Sequence, residues 1–430
     1  MHSFHYRDRR LHCEDVDLEE VAAKIGTPAY VYSAGTIQDH YRRLEAALSG
    51  LDHEICYAVK ANSNRAVLRL LAQEGAGFDI VSGGELFRVL AADGDPSRCT
   101  FAGVGKSREE IEYALEQGVH CFNLESEAEL DYTARIAAGK GLRAPIALRV
   151  NPDVESGSHH YITTGRSENK FGIALDRVGA VYEAAARLPQ IAIRGVQMHI
   201  GSQITEAAPF AEAIAKITPL VLELKKNYGI EFFSIGGGMG IVYKSSLASG
   251  SGDWWRRDDT GALTIADYAA AIVPALRGLG LRILLEPGRF LVGNAGVLLT
   301  RVRYIKQTGQ KKFAIVDAGM NDLIRPALYQ SYHEIVPARA PESDARETID
   351  VVGPVCESGD FFAQDREMPP LAEGDLVAIM SAGAYGFVMA SNYNSRPLPV
   401  EVLVRGDAFG LIRQRQTVAD LVRGECDPAF

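Results

Sequence analysis

Between about residues 29 and 286 the chain repeats one unit: a short β-rich run, a small turn, then an amphipathic helical stretch. Eight runs recur, at 55–59, 78–81, 100–102, 120–124, 146–150, 193–199, 232–235 and 283–285. Helix-period segments such as 65–74, 84–93, 108–117 and 125–138 lie between them, often ending at a glycine such as Gly75, Gly94 or Gly118. Apolar runs alternating with helices call for a parallel sheet covered by helices on both faces. Eight repeats predict a closed (β/α)8, TIM-like barrel, with an open doubly wound sheet as the alternative. After Arg289 the pattern changes: 297–306, 312–316, 347–352, 376–380 and 400–404 alternate at strand period with no regular helix between them. These runs predict a C-terminal antiparallel β domain, a sandwich or barrel. The strand-like stretches 6–16 and 27–32 are expected to pair with it. The expected division is therefore a barrel over 30–288 and a β domain from 1–29 with 289–430.

Composition narrows the function classes. With 45 Lys and Arg against 55 Asp and Glu, the net charge is −10, which argues against nucleic acid as a partner. Arg277 and Arg282 interrupt the best apolar run, so none approaches the about 20 residues of a membrane span. The polar, charged start shows no secretory signal. Six scattered cysteines without a CxxC pair predict neither a disulfide scaffold nor a structural zinc, and a reducing, cytoplasmic compartment is expected. Adjacent His159 and His160 have poor spacing for a shared metal, so no metal is expected. The odd insertion is 244–261, with Trp254 and Trp255; it reads as a mobile surface loop, or more sharply as a lid or partner contact.

Chemistry in such a barrel belongs at the C-terminal ends of the strands. Those ends carry Lys60, Asp79, His199, the run Gly236, Gly237 and Gly238, and Glu286. Each alone has a plainer reading: a solvated end charge, a structural histidine, a tight turn, a strand stop. Their convergence on one mouth is what those readings leave unexplained. A Schiff base to a phosphorylated cofactor uses the set together. Pyridoxal 5′-phosphate fits best, with Lys60 as the Schiff-base lysine, glycine N–H groups on the phosphate, Glu286 on the pyridine nitrogen and His199 on the ring face.

The motifs YAVKAN (57–62), HIGSQ (199–203), GGGMG (236–240), EPGR (286–289), CESGD (356–360) and GAYGF (383–387) resemble those of the fold-type III pyridoxal-phosphate-dependent decarboxylases, in order and spacing over about 30–393. The resemblance implies a barrel plus β domain and a head-to-tail homodimer with shared active sites. It also implies that Ser202, Gly288, Arg289 and Tyr385 join the glycines at the phosphate, that Asp79 contacts the cofactor region, and that Cys356, supplied by the second subunit, returns a proton to the α-carbon. The loop 153–172, with Lys170, Phe171 and Gly172, resembles the family's active-site loop.

Within that family, charge argues for the substrate. The implied reaction is decarboxylation of meso-2,6-diaminopimelate to L-lysine, the last step of lysine biosynthesis. That substrate needs a cationic and an anionic partner at its far end. Arg289, Arg325 and Glu357 supply both signs, and Tyr329 and Tyr385 add hydroxyl groups. Ornithine and arginine lack the distal carboxylate, and family members acting on them carry Asp where this chain has Glu357. Rival expectations are a decarboxylase of ornithine, arginine or carboxynorspermidine, an amino-acid racemase, a Schiff-base aldolase, and a non-enzymatic cofactor carrier.

Overall fold

The computed structural model describes residues 2–154, 170–250 and 263–429. The described residues of Gln38–Ile241 and Asp258–Leu291 form one compact unit. Those of Met1–Ile37, Val242–Arg257 and Val292–Phe430 form the other.

In the first unit eight parallel strands close on themselves. They are β1 His53–Ala58, β2 Gly77–Ile80, β3 Cys99–Phe101, β4 Cys121–Leu124, β5 Ala144–Asn151, β6 Ile191–Met198, β7 Phe232–Ser234 and β8 Arg282–Leu285. Neighbours pair in chain order, β4 pairs with β5, and β8 pairs with β1, so the eight close into a ring, and a two-residue strand, Ile173–Ala174, also pairs parallel with the end of β5. The barrel read from the periodicity is therefore present, with every run within a few residues of its expected place. Helices start promptly after the strands because the connecting residue caps them: Ser82, Ser107 and Ser126 each accept a backbone N–H of the following helix. Gly118 and Gly141 end two of these helices in the left-handed conformation, where a side chain costs energy.

Cys56, Cys121, Ala147, Phe232 and Leu284, one from each of five strands, pack together as a buried cluster. The Phe232 ring needs a glycine opposite: a Cβ on Gly195 of β6 would lie 2.6 Å from it. All six cysteines are free. Among the described residues no helix is long and apolar enough to cross a membrane.

The second unit is built on a nine-stranded sheet. Its main path runs Phe361–Met368, Glu347–Val352, Lys311–Val316, Gly296–Thr308, Ala29–Ser33, Val400–Arg405 and Ala408–Arg413. The sheet is mixed rather than purely antiparallel, because Lys311–Val316 runs parallel to Glu347–Val352 and Ala29–Ser33 parallel to Val400–Arg405. Ala29–Ser33 is fully buried between two strands of this sheet, so residues 30–37 belong here and not to the barrel, as the expected boundary had it. Among the described residues, the stretch 6–16 pairs with the C-terminal part of the chain only at one antiparallel bridge, Arg10 to Arg339, where the Leu11 N–H donates to Ala338 O and the Ala340 N–H to Arg9 O, both at 2.7 Å. It folds with its neighbours into a separate three-stranded sheet of Phe4–Arg7, Arg10–Cys13 and Val16–Asp17. A five-residue helix, Arg325–Tyr329, interrupts the region expected to lack helices. The start of the insertion is also built in: Ser246 and Ser249 are buried, the Leu247 N–H donates to Glu334 Oε2 at 2.7 Å, and Leu247 packs on the core. Trp254 and Trp255 lie outside the described residues.

Gly195→Ala forces the new methyl against the Phe232 ring. The variant is expected to unfold in urea with about 1–3 kcal/mol less stability than the wild type, the usual cost of overpacking a core. Unchanged stability would show that the barrel interior has room to spare.

Candidate active site

Lys60 stands on the turn Val59–Ala61 directly after β1, and Asp79 lies in β2 beside Ala58 in register. That register brings Lys60 Nζ to 3.1 Å from Asp79 Oδ2. Asp79 is buried, and its Oδ1 makes no hydrogen bond among the described residues. The Lys60 side chain is 42% exposed, so the amine is reachable from the barrel mouth.

Glu286 follows β8, which pairs with β1 and is tied to it again by the Ala58 N–H donating to Pro287 O at 3.0 Å. Its carboxylate is buried and held by two donors: Ser234 Oγ to Oε1 at 2.7 Å and Gln197 Nε2 to Oε2 at 2.9 Å. Burial and the Asp79 charge push the Glu286 pKa up, against the pull of Ser234, Lys60 and Gln197. Glu85, whose Oε2 accepts the Val81 N–H at 2.8 Å, is pushed up to about 7, mainly by burial and also by Asp79.

His199 follows β6, and its Nδ1 accepts the Gly237 N–H at 3.3 Å. Burial first, then the positive charges of Arg149 and Lys60, hold its pKa well below the ordinary value. The ring is thus neutral near pH 7 and, with Nδ1 accepting, carries its proton at Nε2. The three glycines are needed because the ends of β6, β7 and β8 converge on them. Gly236 and Gly238 have φ of 71° and 112°, and a Cβ on Gly238 would sit 2.6 Å from Gly201 O. Reciprocal bonds from Ile204 N to Gly238 O and from Gly240 N to Ile204 O, both 2.9 Å, fasten the 199–203 segment to 236–240. Arg289 is buried and donates from Nη2 to Ser202 Oγ at 3.0 Å, while a Cβ on Gly288 would lie 3.0 Å from the Ala61 methyl. The barrel residues expected at the site thus share one end of the barrel.

Four contributors escaped the sequence reading. Gln197 and Ser234 hold Glu286, and Arg149 pairs with buried Glu125 at 3.1 Å while lying over the Phe171 ring at 4.8 Å. Glu125 also accepts the N–H groups of Gly103 and Gly172. A signal was available: Arg149, Gln197 and Ser234 are register partners on β5, β6 and β7 and so share one face. Three polar residues in one row of a barrel are costly unless they hold something.

In the β unit, Arg325 and Tyr329 share one short helix, with the Arg325 guanidinium 5.8 Å from the Tyr329 ring centre. Cys356 and Glu357 are exposed on a loop pinned by Asp360, whose carboxylate accepts the N–H groups of Met320 and Val355. Tyr385 has φ of 55° in its glycine-flanked turn. His159 and His160 lie outside the described residues. Among the described residues no cluster of three or more His, Cys, Asp or Glu could hold a metal ion.

A family model described as "Pyridoxal-dependent decarboxylase, pyridoxal binding domain" matches residues 34–293. The chain belongs to the pyridoxal-dependent decarboxylases. Its similarity extends beyond that domain. It is 52% identical to the diaminopimelate decarboxylase of Pseudomonas aeruginosa over 426 residues, 99% of each chain. It is 47% identical to that of Vibrio cholerae over 424 residues, 98% of each. The crystal structure of diaminopimelate decarboxylase from Helicobacter pylori complexed with L-lysine superimposes with a TM-score of 0.87 at 40% identity, covering 95% of this chain and 98% of that one.

The raised pKa of Glu286 has a measurable sign. Without cofactor, the folded chain keeps a proton there that the unfolded chain gives up above about pH 4.5, so Glu286 costs stability as pH rises. His199, with its lowered pKa, acts in the opposite sense below about pH 6.5. The difference between variants isolates Glu286: apo Glu286→Gln should gain stability relative to apo wild type between about pH 5 and about pH 8. Urea midpoints at both pH values give the answer, and a pH-independent difference would refute it.

Proposed function

We propose that the chain is a pyridoxal-phosphate-dependent carboxy-lyase that converts meso-2,6-diaminopimelate to L-lysine and CO2, the last step of lysine biosynthesis. The observation that carries this reading is the barrel-end set of Lys60 against Asp79, a buried Glu286 gripped by Ser234 and Gln197, and a neutral His199 beside a glycine cradle. It occurs in a chain half identical over nearly its whole length to the Pseudomonas aeruginosa enzyme.

The residues fit the cofactor. Asp79 Oδ1 and Gln197 Oε1 are buried polar atoms without a hydrogen-bond partner among the described residues, and the glycines leave backbone N–H groups where side chains would block an anion. Bound there, pyridoxal phosphate supplies an electron sink for the pair left on the substrate α-carbon as CO2 departs. Lys60 supplies the amine that carries it, with Asp79 balancing the ammonium charge before that amine loses its proton. Glu286, pinned by its two donors, stabilises a proton on the pyridine nitrogen. His199 offers a neutral aromatic face that adds no charge to the ring. Gly236, Gly237, Gly238 and Gly288 with Ser202, Arg289 and Tyr385 would hold the phosphate.

The far end of the substrate goes to Arg289, Arg325, Tyr329, Glu357 and Tyr385, which leaves the D-configured centre at the reacting position. Cys356 Sγ returns the proton to that carbon. Its exposure on the single chain supports a role toward a second copy, so we read the enzyme as a homodimer in which each active site is completed by the partner. We read the compartment as the cytoplasm, supported by six cysteines outside any disulfide.

A panel of meso-diaminopimelate, ornithine, arginine, lysine and carboxynorspermidine, followed by mass spectrometry, tests the reaction. Lysine from diaminopimelate alone is the expected result, and turnover of another member of the panel would discard the substrate. Lys60→Ala should lose the visible absorbance of lysine-bound cofactor. Cys356→Ala should keep that absorbance while turnover falls by about 10²–10⁴. Mixing the two variants with subunit exchange should restore roughly a quarter of wild-type activity, because half of the dimers then carry one intact site. No restoration would count against shared sites.

A further inference from the structure

His333 is completely buried in the β unit, in the stretch between helix Arg325–Tyr329 and strand Ile335–Pro337. Its Nδ1 lies 2.9 Å from Met380 O, and a carbonyl only accepts, so Nδ1 carries the proton. In the neutral ring Nε2 is then an acceptor, and it faces Arg325 Nε at 3.4 Å. Arg325 is itself buried, donates from Nη2 to Ser331 Oγ at 3.2 Å, and has its guanidinium 5.3 Å from the Tyr243 ring centre. The Tyr243 ring in turn stands edge-on to His333, at 5.1 Å and 79°. Tyr243 immediately precedes the insertion, whose first residues are anchored in this unit by Glu334, the neighbour of His333.

A guanidinium grips a carboxylate with two parallel N–H bonds, either side-on through Nε and Nη2 or end-on through Nη1 and Nη2. Here Nε is given to a histidine whose tautomer is set by a backbone carbonyl, which fixes the roll of the guanidinium about its side chain. We propose that His333 is a positioning residue that holds the Arg325 guanidinium in the orientation that meets the substrate's distal carboxylate. The inference rests on the assignment of Arg325 to the substrate under the proposed function. It adds a specificity element that no substrate-facing motif revealed: the backbone carbonyl of Met380 sets the His333 tautomer, and the tautomer sets the roll of the arginine.

Two variants of similar polarity separate the acceptor role from packing. In His333→Gln the side-chain amide reaches about as far as Nε2 and can accept from Arg325 Nε. In His333→Asn the amide stops about where Nδ1 was, so it can serve Met380 O but not Arg325. The KM for meso-diaminopimelate and the Kd for L-lysine, which keeps the distal carboxylate, should both rise about tenfold or more in the Asn variant. Both should stay near wild type in the Gln variant, with kcat and cofactor absorbance little changed in either. Equal KM values in the two variants, whether near wild type or raised together, overturn the role of His333. Arg325→Met is measured alongside. An unchanged KM there overturns the substrate assignment of Arg325 and this inference with it. A raised KM there, with the Gln and Asn variants equal, overturns only the role of His333.

Discussion

Closure of the barrel by the pairing of β8 with β1 is the constraint on which the site depends. Leu285 lies opposite Ile55, so the residues that follow each strand, Glu286 and Lys60, emerge at the same end of the barrel. In sequence they are 226 positions apart. The neighbouring pairings extend the ring: β1 with β2 brings Asp79 to Lys60, and β6 with β7 sets Gln197 and Ser234 side by side around Glu286. A parallel barrel points all its C-terminal strand ends one way, so polar groups placed there share one mouth without any loop having to reach.

Electrostatics at that mouth is a balance of buried charges. Burial and the nearby Asp79 charge raise the pKa values of both Glu85 and Glu286, which is unfavourable in a chain without cofactor. Lys60, the Ser234 hydroxyl and the Gln197 amide offset part of that cost. The same burial keeps His199 neutral, aided by Arg149 and Lys60.

Much of the barrel was legible because buried parallel strands and their helices have different hydrophobic periods, so eight runs stood out. The residues that share the barrel mouth stood out because Gly-rich turns and charged strand ends are unusual where they occur. What escaped had no local mark. Ala29–Ser33 reads as a buried strand, and nothing within it states that its partners are Gly296–Thr308 and Val400–Arg405 rather than a barrel strand. Residues 6–16 read as strand correctly, yet most of their ladder is with their own neighbours, and only one bridge, Arg10 to Arg339, reaches the C-terminal part of the chain. Ser234 and Gln197 looked like ordinary strand residues, and His333 like an isolated histidine.

By itself, then, the sequence determined the alternation that closes a barrel, the residue types that suit a phosphorylated aldehyde cofactor, and the charge signs suited to a diacid diamine. Those properties are carried by local period and side-chain chemistry. The tertiary structure alone decided which polar residues hold others in place: Ser234 and Gln197 on Glu286, Glu125 on Arg149, and His333 on Arg325. The physical reason is that hydrogen bonds between residues distant in the chain depend on strand register and backbone direction. A histidine's preferred tautomer and the shift of a carboxylate's pKa are set only once those neighbours have been brought into contact.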